Sequence, residues 1–346
     1  MFNQARNRYS RQVAFPAIGD VGQGKLCRSR VVIIGCGALG CNIANLLVRA
    51  GVGKISIIDR DFVEYHNLQR QALFDEDDIK RQLPKAVAAR QHLRRINSLV
   101  EVEGIVADVN FSNAERFCSG ADLIMDGLDN LETRYLINDV SAKLLIPYIY
   151  GGAISSHGMT MTIIPGKSPC LRCVFPDLPP PMTMPTCETD GVLGTLTATI
   201  SAIQATEAIK VLIGSGEINR DLFTLDIWDM TFERVPVARN PNCPACNGRY
   251  DFLEKKVDLI KSSLCGQNRA IQVMDTKLGK IDIAKIAKKL KDVHNLICNE
   301  HMLRFEADGL KITVFPDGRA IIGNILDESL AEKVYVKYVR NNVKSR

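Results

Sequence analysis

Several things are scarce in this 346-residue chain. No apolar run is both long and free of charge: the best, residues 192–213, contains Glu207, Lys210 and four threonines, so no membrane span is expected. The opening Met1-Phe2-Asn3-Gln4-Ala5-Arg6 lacks the apolar stretch of a secretory signal. Charge of one sign is also lacking, with 44 Lys and Arg against 39 Asp and Glu for a net +5. The whole excess falls in residues 250–346, with 18 basic against 13 acidic groups, and residues 1–249 balance at 26 of each. A neutral main body offers no electrostatic footprint for nucleic acid. No internal repeat and no low-complexity segment is visible. A soluble, cytoplasmic chain that binds neither membrane nor nucleic acid is expected.

Apolar residues make up 46% and charged residues 24%, enough to build a full core and too apolar for a disordered chain. The length exceeds one average domain, which points to a large domain and a smaller one. Eleven cysteines without an export signal suggest metal ligands and reactive thiols rather than disulfides.

Short apolar runs alternate with helical patterns through the first 165 residues, the signature of βαβ units and a mainly parallel sheet. Strands are expected at 30–34, 54–59, 100–106, 122–126, 147–150 and 159–164, and helices at 39–50, 85–96 and 130–145. Residues 175–185 then hold five prolines, too many for a helix or a central strand, and read as a surface loop crossing the domain. A helix at 194–213 and strands at 222–228 and 232–237 complete the larger domain, taken as 1–249. Residues 250–346 read as a small α+β domain. Its strands are expected at 270–274, 302–305, 310–315 and 320–322, and its helices at 282–293 and 330–339.

Gly35-Cys36-Gly37-Ala38-Leu39-Gly40 joins the first strand to the first helix. Glycines there permit a tight turn and let backbone approach a phosphate at the helix N-terminus. Asp59 ends the next strand, where a carboxylate can accept from both ribose hydroxyls. The expected fold is therefore α/β, Rossmann-like and doubly wound. A nicotinamide dehydrogenase is the plain alternative, but the residues behind Asp59 argue against it. Asp61, Asn67, Arg70, Gln71 and Lys85 crowd there, and polar and cationic groups converge more naturally on phosphates than on a nicotinamide ring. Asp129-Asn130 follows a strand at the sheet's carboxyl edge, and a carboxylate near phosphates needs a cation between them, for which Mg²⁺ is the usual answer. Singly, Arg70 can pair on the surface, Lys85 can cap a helix and Asp129-Asn130 can form a turn; the set is what carries the reading.

Cys170-Leu171-Arg172-Cys173 and Cys243-Pro244-Ala245-Cys246 form two C-x-x-C knuckles. One alone suits a redox pair as well as a metal; four thiolates close a structural Zn²⁺ site. Such a site would clamp the segment before the crossing loop to the end of the main domain.

Taken together, these residues resemble the ThiF/MoeB/HesA group of adenylyltransferases, relatives of the ubiquitin-activating enzymes. The resemblance runs from about Arg8 to Asn247. It rests on Arg8-Tyr9-Ser10-Arg11-Gln12, the glycine loop, Asp59 with Asn67-Leu68-Gln69-Arg70-Gln71, Lys85, Asp129-Asn130, the Cys187 segment and both knuckles. It implies an enzyme that uses ATP to adenylate the C-terminal Gly-Gly carboxylate of a small ubiquitin-like sulfur carrier such as ThiS or MoaD, releasing pyrophosphate. It also implies that Mg²⁺ on Asp129 joins Lys85 and Arg70 against the phosphates, that Asn67 orients them, and that Asp59 holds the ribose. Members are homodimers in which an N-terminal arginine enters the neighbour's site; Arg11 is the matching residue, whose plainer reading is a solvated charge. Cys187 matches a cysteine that takes the acyl group in some members, while in others adenylation suffices and a separate sulfur donor acts. Ala38 stands where many members have glycine, which is tolerable if its φ is negative. Asp190 makes the turn after Cys187 more acidic than in most.

The tail lies outside that resemblance. Cys298 and Arg304 have the spacing of an anion-cradling rhodanese loop, but a hairpin pattern comes next, so Cys298 is expected to be a buried strand-end residue. Lys285, Lys288, Lys289 and Lys291 read as a solvated helix face. Other functions compatible with the sequence are adenylation of a microcin-type peptide C-terminus, activation of a carboxylate on tRNA, and a non-catalytic module that docks a carrier.

Overall fold

A computed structural model describes residues 7–179, 189–255, 259–264, 270–291 and 293–344. The chain divides into two compact units, Met1–Lys255 and Lys256–Arg346. In the first, chain order runs α1 (Ser10–Val13), α2 (Gly19–Leu26), β1 (Arg30–Ile34), α3 (Ala38–Ala50), β2 (Lys54–Asp59), α4 (Glu76–Lys80), α5 (Lys85–Ile96) and β3 (Glu101–Val106). It continues through α6 (Ala114–Cys118), β4 (Leu123–Asp126), α7 (Leu131–Leu144), β5 (Tyr148–Ile154), β6 (His157–Ile163), α8 (Leu171–Val174), α9 (Gly194–Ile213), β7 (Leu222–Asp226) and β8 (Thr231–Val235).

The eight strands form one sheet in the order β3-β2-β1-β4-β5-β6-β7-β8. The first five are parallel and the last three pair antiparallel. Strand order reverses between β1 and β4, and ligands of doubly wound sheets bind beyond the strand ends at that reversal. Buried runs such as Val31-Val32-Ile33-Ile34 and Ile55–Ile58 explain why these strands sit centrally, because helices cover both sheet faces.

By length and composition alone α9 is long and apolar enough to cross a membrane, its two charges notwithstanding. The helix instead packs on α3, β5 and β6. Its polar residues serve that packing: Ser201 donates to the Leu39 carbonyl at 3.1 Å and Gln204 to the Asp126 carbonyl at 3.1 Å.

The second unit is a six-stranded antiparallel sheet of β9 (Leu259–Leu264), β10 (Ala270–Asp275), β11 (His294–Cys298), β12 (Leu303–Ala307), β13 (Leu310–Val314) and β14 (Arg319–Gly323). Helices α10 (Ile283–Lys289) and α11 (Glu328–Tyr335) join its core through Ile283, Ile286, Ala331, Val334 and Tyr335. The helix expected at 282–293 stops at Lys289, because Leu290 turns extended and the chain enters β11. Cys298 does end a strand, but it is exposed, since no residue of β11 is covered on either face.

Candidate functional site

Three glycines interlock where β1 and β4 end. A Cβ on Gly35, whose φ is +89°, would lie 2.5 Å from the Gly127 carbonyl oxygen, and a Cβ on Gly40 or Gly127 would strike the Gly35 carbonyl. Gly37 differs. Its φ is −80°, and an added Cβ would meet only the Gly127 oxygen, at 3.8 Å. The fold needs the other three; the missing side chain at Gly37 keeps open the space above α3. That 13-residue helix has no side-chain cap, so its first N–H groups face that space, as an anion site requires. Ala38 begins α3 and is not among the residues of positive φ.

Asp59, at the end of β2, is buried and oriented by backbone: Oδ2 accepts from Cys36 N–H at 2.6 Å and Oδ1 from Asp61 N–H at 2.7 Å. Burial pushes its carboxyl pKa up against the downward pull of Lys85, and neighbouring Asp61 adds to the rise. Lys85 opens α5 with its side chain only 9% exposed, and its Nζ donates to Asp61 Oδ2 at 3.1 Å. Burial alone would lower its pKa, but Asp61, Asp59 and Asp129 outweigh that and hold it above the ordinary lysine value. The chain thus keeps a permanent, almost fully enclosed cation beside the glycine loop.

Asp129 reaches this group from β4. It is exposed, takes a 3.4 Å contact from Asn130 Nδ2, and raises the pKa values of Lys85, Arg60 and Arg134. Structure therefore brings Gly37, Asp59, Asp61, Lys85 and Asp129 to one sheet edge. Among the other candidates, the two asparagines have structural duties. Asn130 Oδ1 caps α7 by accepting from Thr133 N–H at 2.9 Å. Asn67 is buried, and its Oδ1 accepts from Glu64 N–H at 3.0 Å in a capping box. Gln71 is buried, and its Oε1 lacks a partner among the described residues, an acceptor free for a donor. Arg70 is half-buried, donates to the His66 carbonyl at 2.7 Å and lies against Gly194 at the start of α9.

Arg11 is exposed on α1, at the far end of the unit from its own glycine loop. Its neighbours fix it there: Tyr9 accepts from Asn97 Nδ2 at 2.8 Å and packs on Gly51, and Gln12 donates to the Ala50 carbonyl at 2.8 Å. Since α3 separates that end from the loop by about 20 Å, Arg11 cannot serve its own site. Cys187 lies outside the described residues.

Sequence reasoning missed four contributors. Arg60 pairs with Asp108 at 2.8 Å and Asp61 at 3.7 Å, so a second cation joins the same network. Asp108 follows the end of β3 as Asp129 follows β4, and the same rule would have found it. Asp126 is fully buried and accepts from Tyr148 Oη at 2.6 Å, Arg134 Nε at 3.2 Å and Leu128 N–H at 2.9 Å. Arg134 in turn donates to the carbonyls of Leu128 at 2.6 Å and Gly151 at 2.8 Å. Burial pushes the Asp126 carboxyl up while Arg134 pulls it down. This pair grips the loop that carries Asp129.

The second centre is the cysteine cluster. Sγ atoms of Cys170 and Cys173 lie 3.8 Å apart, Cys170 and Cys243 3.5 Å, and Cys173 and Cys246 3.6 Å. A tetrahedron with metal–sulfur bonds of about 2.3 Å has edges of roughly 3.8 Å, so the four thiols fit zinc. Arg172 within the first knuckle pairs with Asp251 at 3.0 Å, and Asn138 of α7 donates to Cys170 Sγ at 3.7 Å, tying the cluster to the main unit.

The sequence profile of the ThiF family matches residues 9–245. The chain belongs to the ThiF family. A sulfur carrier protein ThiS adenylyltransferase of Bacillus subtilis is 39% identical over 336 residues, covering 96% of this chain and 99% of that one. A SAMP-activating enzyme E1 of Haloferax volcanii is 43% identical over 258 residues, covering 74% of this chain and 94% of that one. A crystal structure of E. coli MccB with ATP superposes with a TM-score of 0.60 at 23% identity, covering 69% and 74% of the two chains, a likeness of fold. The B. subtilis match takes in the second unit of this ThiF-family chain, whereas the H. volcanii match is 258 residues long and nearly fills that relative.

Proposed function

We propose that this protein adenylates the C-terminal Gly-Gly carboxylate of a small ubiquitin-like sulfur-carrier protein, using ATP and Mg²⁺ and releasing pyrophosphate. The observation that carries the reading is the enclosed Lys85 cation, set with Asp59, Asp61 and Asp129 around an uncapped helix N-terminus. The names of the B. subtilis and H. volcanii relatives support the carrier class.

In this reading Asp59 accepts from the ribose hydroxyls with the lone pairs its backbone donors leave free, and the N–H groups of α3 receive the phosphates. A carrier carboxylate oxygen attacks the α-phosphorus. The bond from that phosphorus to the β-bridging oxygen breaks, and its electron pair leaves with pyrophosphate. Anion approaches anion, so fixed positive charge lowers the barrier. Lys85 provides it, with Arg60 in the same carboxylate network and Arg70 as a further cation. The open carboxylate of Asp129 is a hard oxygen donor suited to magnesium, which would neutralise phosphate charge when bound. Transfer of the acyl group to Cys187 with departure of AMP would be a later step, separate from adenylation, and a sulfur donor would act after it. The protein is taken as a cytoplasmic homodimer, so that Arg11 of one copy serves the other.

Pyrophosphate exchange tests this. With ATP and a Gly-Gly-ended carrier, labelled pyrophosphate should scramble into ATP. Asp129→Ala should abolish the exchange and Cys187→Ala should leave it intact. Exchange that survives Asp129→Ala overturns the magnesium assignment, and absence of exchange in the parent overturns the function.

A further inference from the structure

Helix α5 carries a second basic feature that adenylation does not use. A groove of about 440 Å³ is lined by Arg81, Arg90, Gln91, Arg94 and Arg95, with no carboxylate in its wall. Arg94 lies nine residues beyond Lys85, roughly 14 Å along the helix axis, well clear of the nucleotide loop.

Two of the four guanidinium groups are held in place. Arg81 donates to Gln91 Oε1 at 3.0 Å. Arg95 Nη2 sits 2.7 Å from His92 Nδ1, and His92 Nε2 sits 2.8 Å from the buried Asp78 carboxylate. A guanidinium can only donate, so Nδ1 accepts and the Nε2–H tautomer donates to Asp78, which fixes the chain Arg95–His92–Asp78. Asp78 and Asp75 also close the capping box of α4, so their carboxylates are engaged. Arg90 and Arg94 make no hydrogen bond or ion pair among the described residues, and at a spacing of four they repel one another. The helix dipole favours cations in the last turn, which accounts for Arg94 and Arg95. The dipole of α4 likewise accounts for Arg81 at its C-cap, but neither dipole accounts for Arg90 in mid-helix. Arginines concentrated this way, in residues 1–249 whose charges sum to zero, call for an anion.

We propose that this groove is a second anion site, binding a polyphosphate: pyrophosphate itself or the phosphate chain of a nucleotide. Guanidinium forks match phosphate oxygens two at a time, and the volume falls in the range of small-ligand pockets. A compact anion fits better than an acidic peptide. The adjoining groove of about 710 Å³, which shares Arg90 and Arg94, runs along edge strand β3 past Glu101 and Glu103, where an extended acidic chain would be repelled.

Equilibrium dialysis of the full chain against labelled pyrophosphate tests the site independently of the proposed reaction. Two bound pyrophosphates are expected, one at the nucleotide loop and one in the groove. Arg90→Gln with Arg94→Gln should weaken only one of them, by at least about tenfold, as the loss of charge-assisted bonds implies. Gln91→Ala, which only frees Arg81, should weaken it less. Repeating the dialysis with ATP as the labelled ligand separates the sources: a second ATP bound as tightly as pyrophosphate assigns the site to nucleotides, and its absence assigns it to pyrophosphate. The proposal fails if pyrophosphate binding is unchanged in the double variant. A failed adenylation assay alongside retained groove binding would sink the proposed function and leave this site standing.

Discussion

The glycine loop permits folding and nucleotide binding to be separated by single methyl groups. At Gly40 an added Cβ strikes the Gly35 carbonyl, which is itself wedged against Gly127, so neither backbone segment can yield without moving β1 or β4. Overpacking costs up to about 3 kcal/mol when side chains can adjust, and here backbone must move, so Gly40→Ala should lose at least that much. For a unit of this size each kcal/mol corresponds to roughly 2–4 °C in Tm, so a fall of about 6–12 °C is expected. Gly37→Ala adds the same methyl where the nearest atom is 3.8 Å away and φ is −80°. Its Tm should hold or rise slightly, since alanine has less freedom to lose on folding. The methyl nevertheless occupies the approach to the α3 N–H groups, and displacing a phosphate by an ångström costs on the order of a hundredfold. Calorimetry together with pyrophosphate exchange as a function of ATP reads both quantities. If Gly37→Ala melts as early as Gly40→Ala, or exchanges with the parent's kcat/KM for ATP, then Gly37 is not kept small for a ligand.

Elemental analysis should find a single zinc per chain, from the one four-cysteine cluster among the described residues, and replacing Cys170 and Cys173 by serine should remove it and lower Tm; a metal-free protein of parental stability would refute the centre. Because Arg11 sits too far from its own loop, inactive Arg11→Ala and inactive Lys85→Ala chains should regain exchange when co-refolded, each mixed dimer having one site with both residues intact; no recovery would place Arg11 outside the site.

What could be read from sequence divides by how far apart in the chain the partners lie. The parallel strands are apolar runs buried on both faces, and residues 31–34 and 55–58 announce themselves without a partner. The glycine loop and Asp59 were legible because strand, turn and helix are consecutive. Strand β11 was missed, since with every residue exposed it has no alternation to detect. Arg60–Asp108 and Asp126–Tyr148 were missed for another reason: their partners are 48 and 22 residues apart, and no local pattern says which carboxylate a given arginine or tyrosine will meet. Asn67 and Asn130 show the converse: the structure engages each side chain in capping nearby backbone, its nearer use.

Among the contacts that sequence concealed, those of Asp126 and Arg134 hold the loop that carries Asp129, and this can be separated from mere stability. Arg134 uses three donors at once: Nε to Asp126, and Nη2 to the carbonyls of Leu128 and Gly151. Arg134→Met would strand a buried carboxylate and should cost about 3–5 kcal/mol, a result any structural ion pair would give. Arg134→Lys is the informative change. Lysine keeps the charge for Asp126 but has no planar fork to reach both carbonyls, so the unit should stay folded while the 127–130 loop loosens. Exchange by Arg134→Lys should then need more Mg²⁺ for half-maximal rate, with the KM for ATP less affected, because Asp59 and α3 are untouched. Parental magnesium dependence in a folded Arg134→Lys chain would show that Asp126 and Arg134 serve the core and not the reaction.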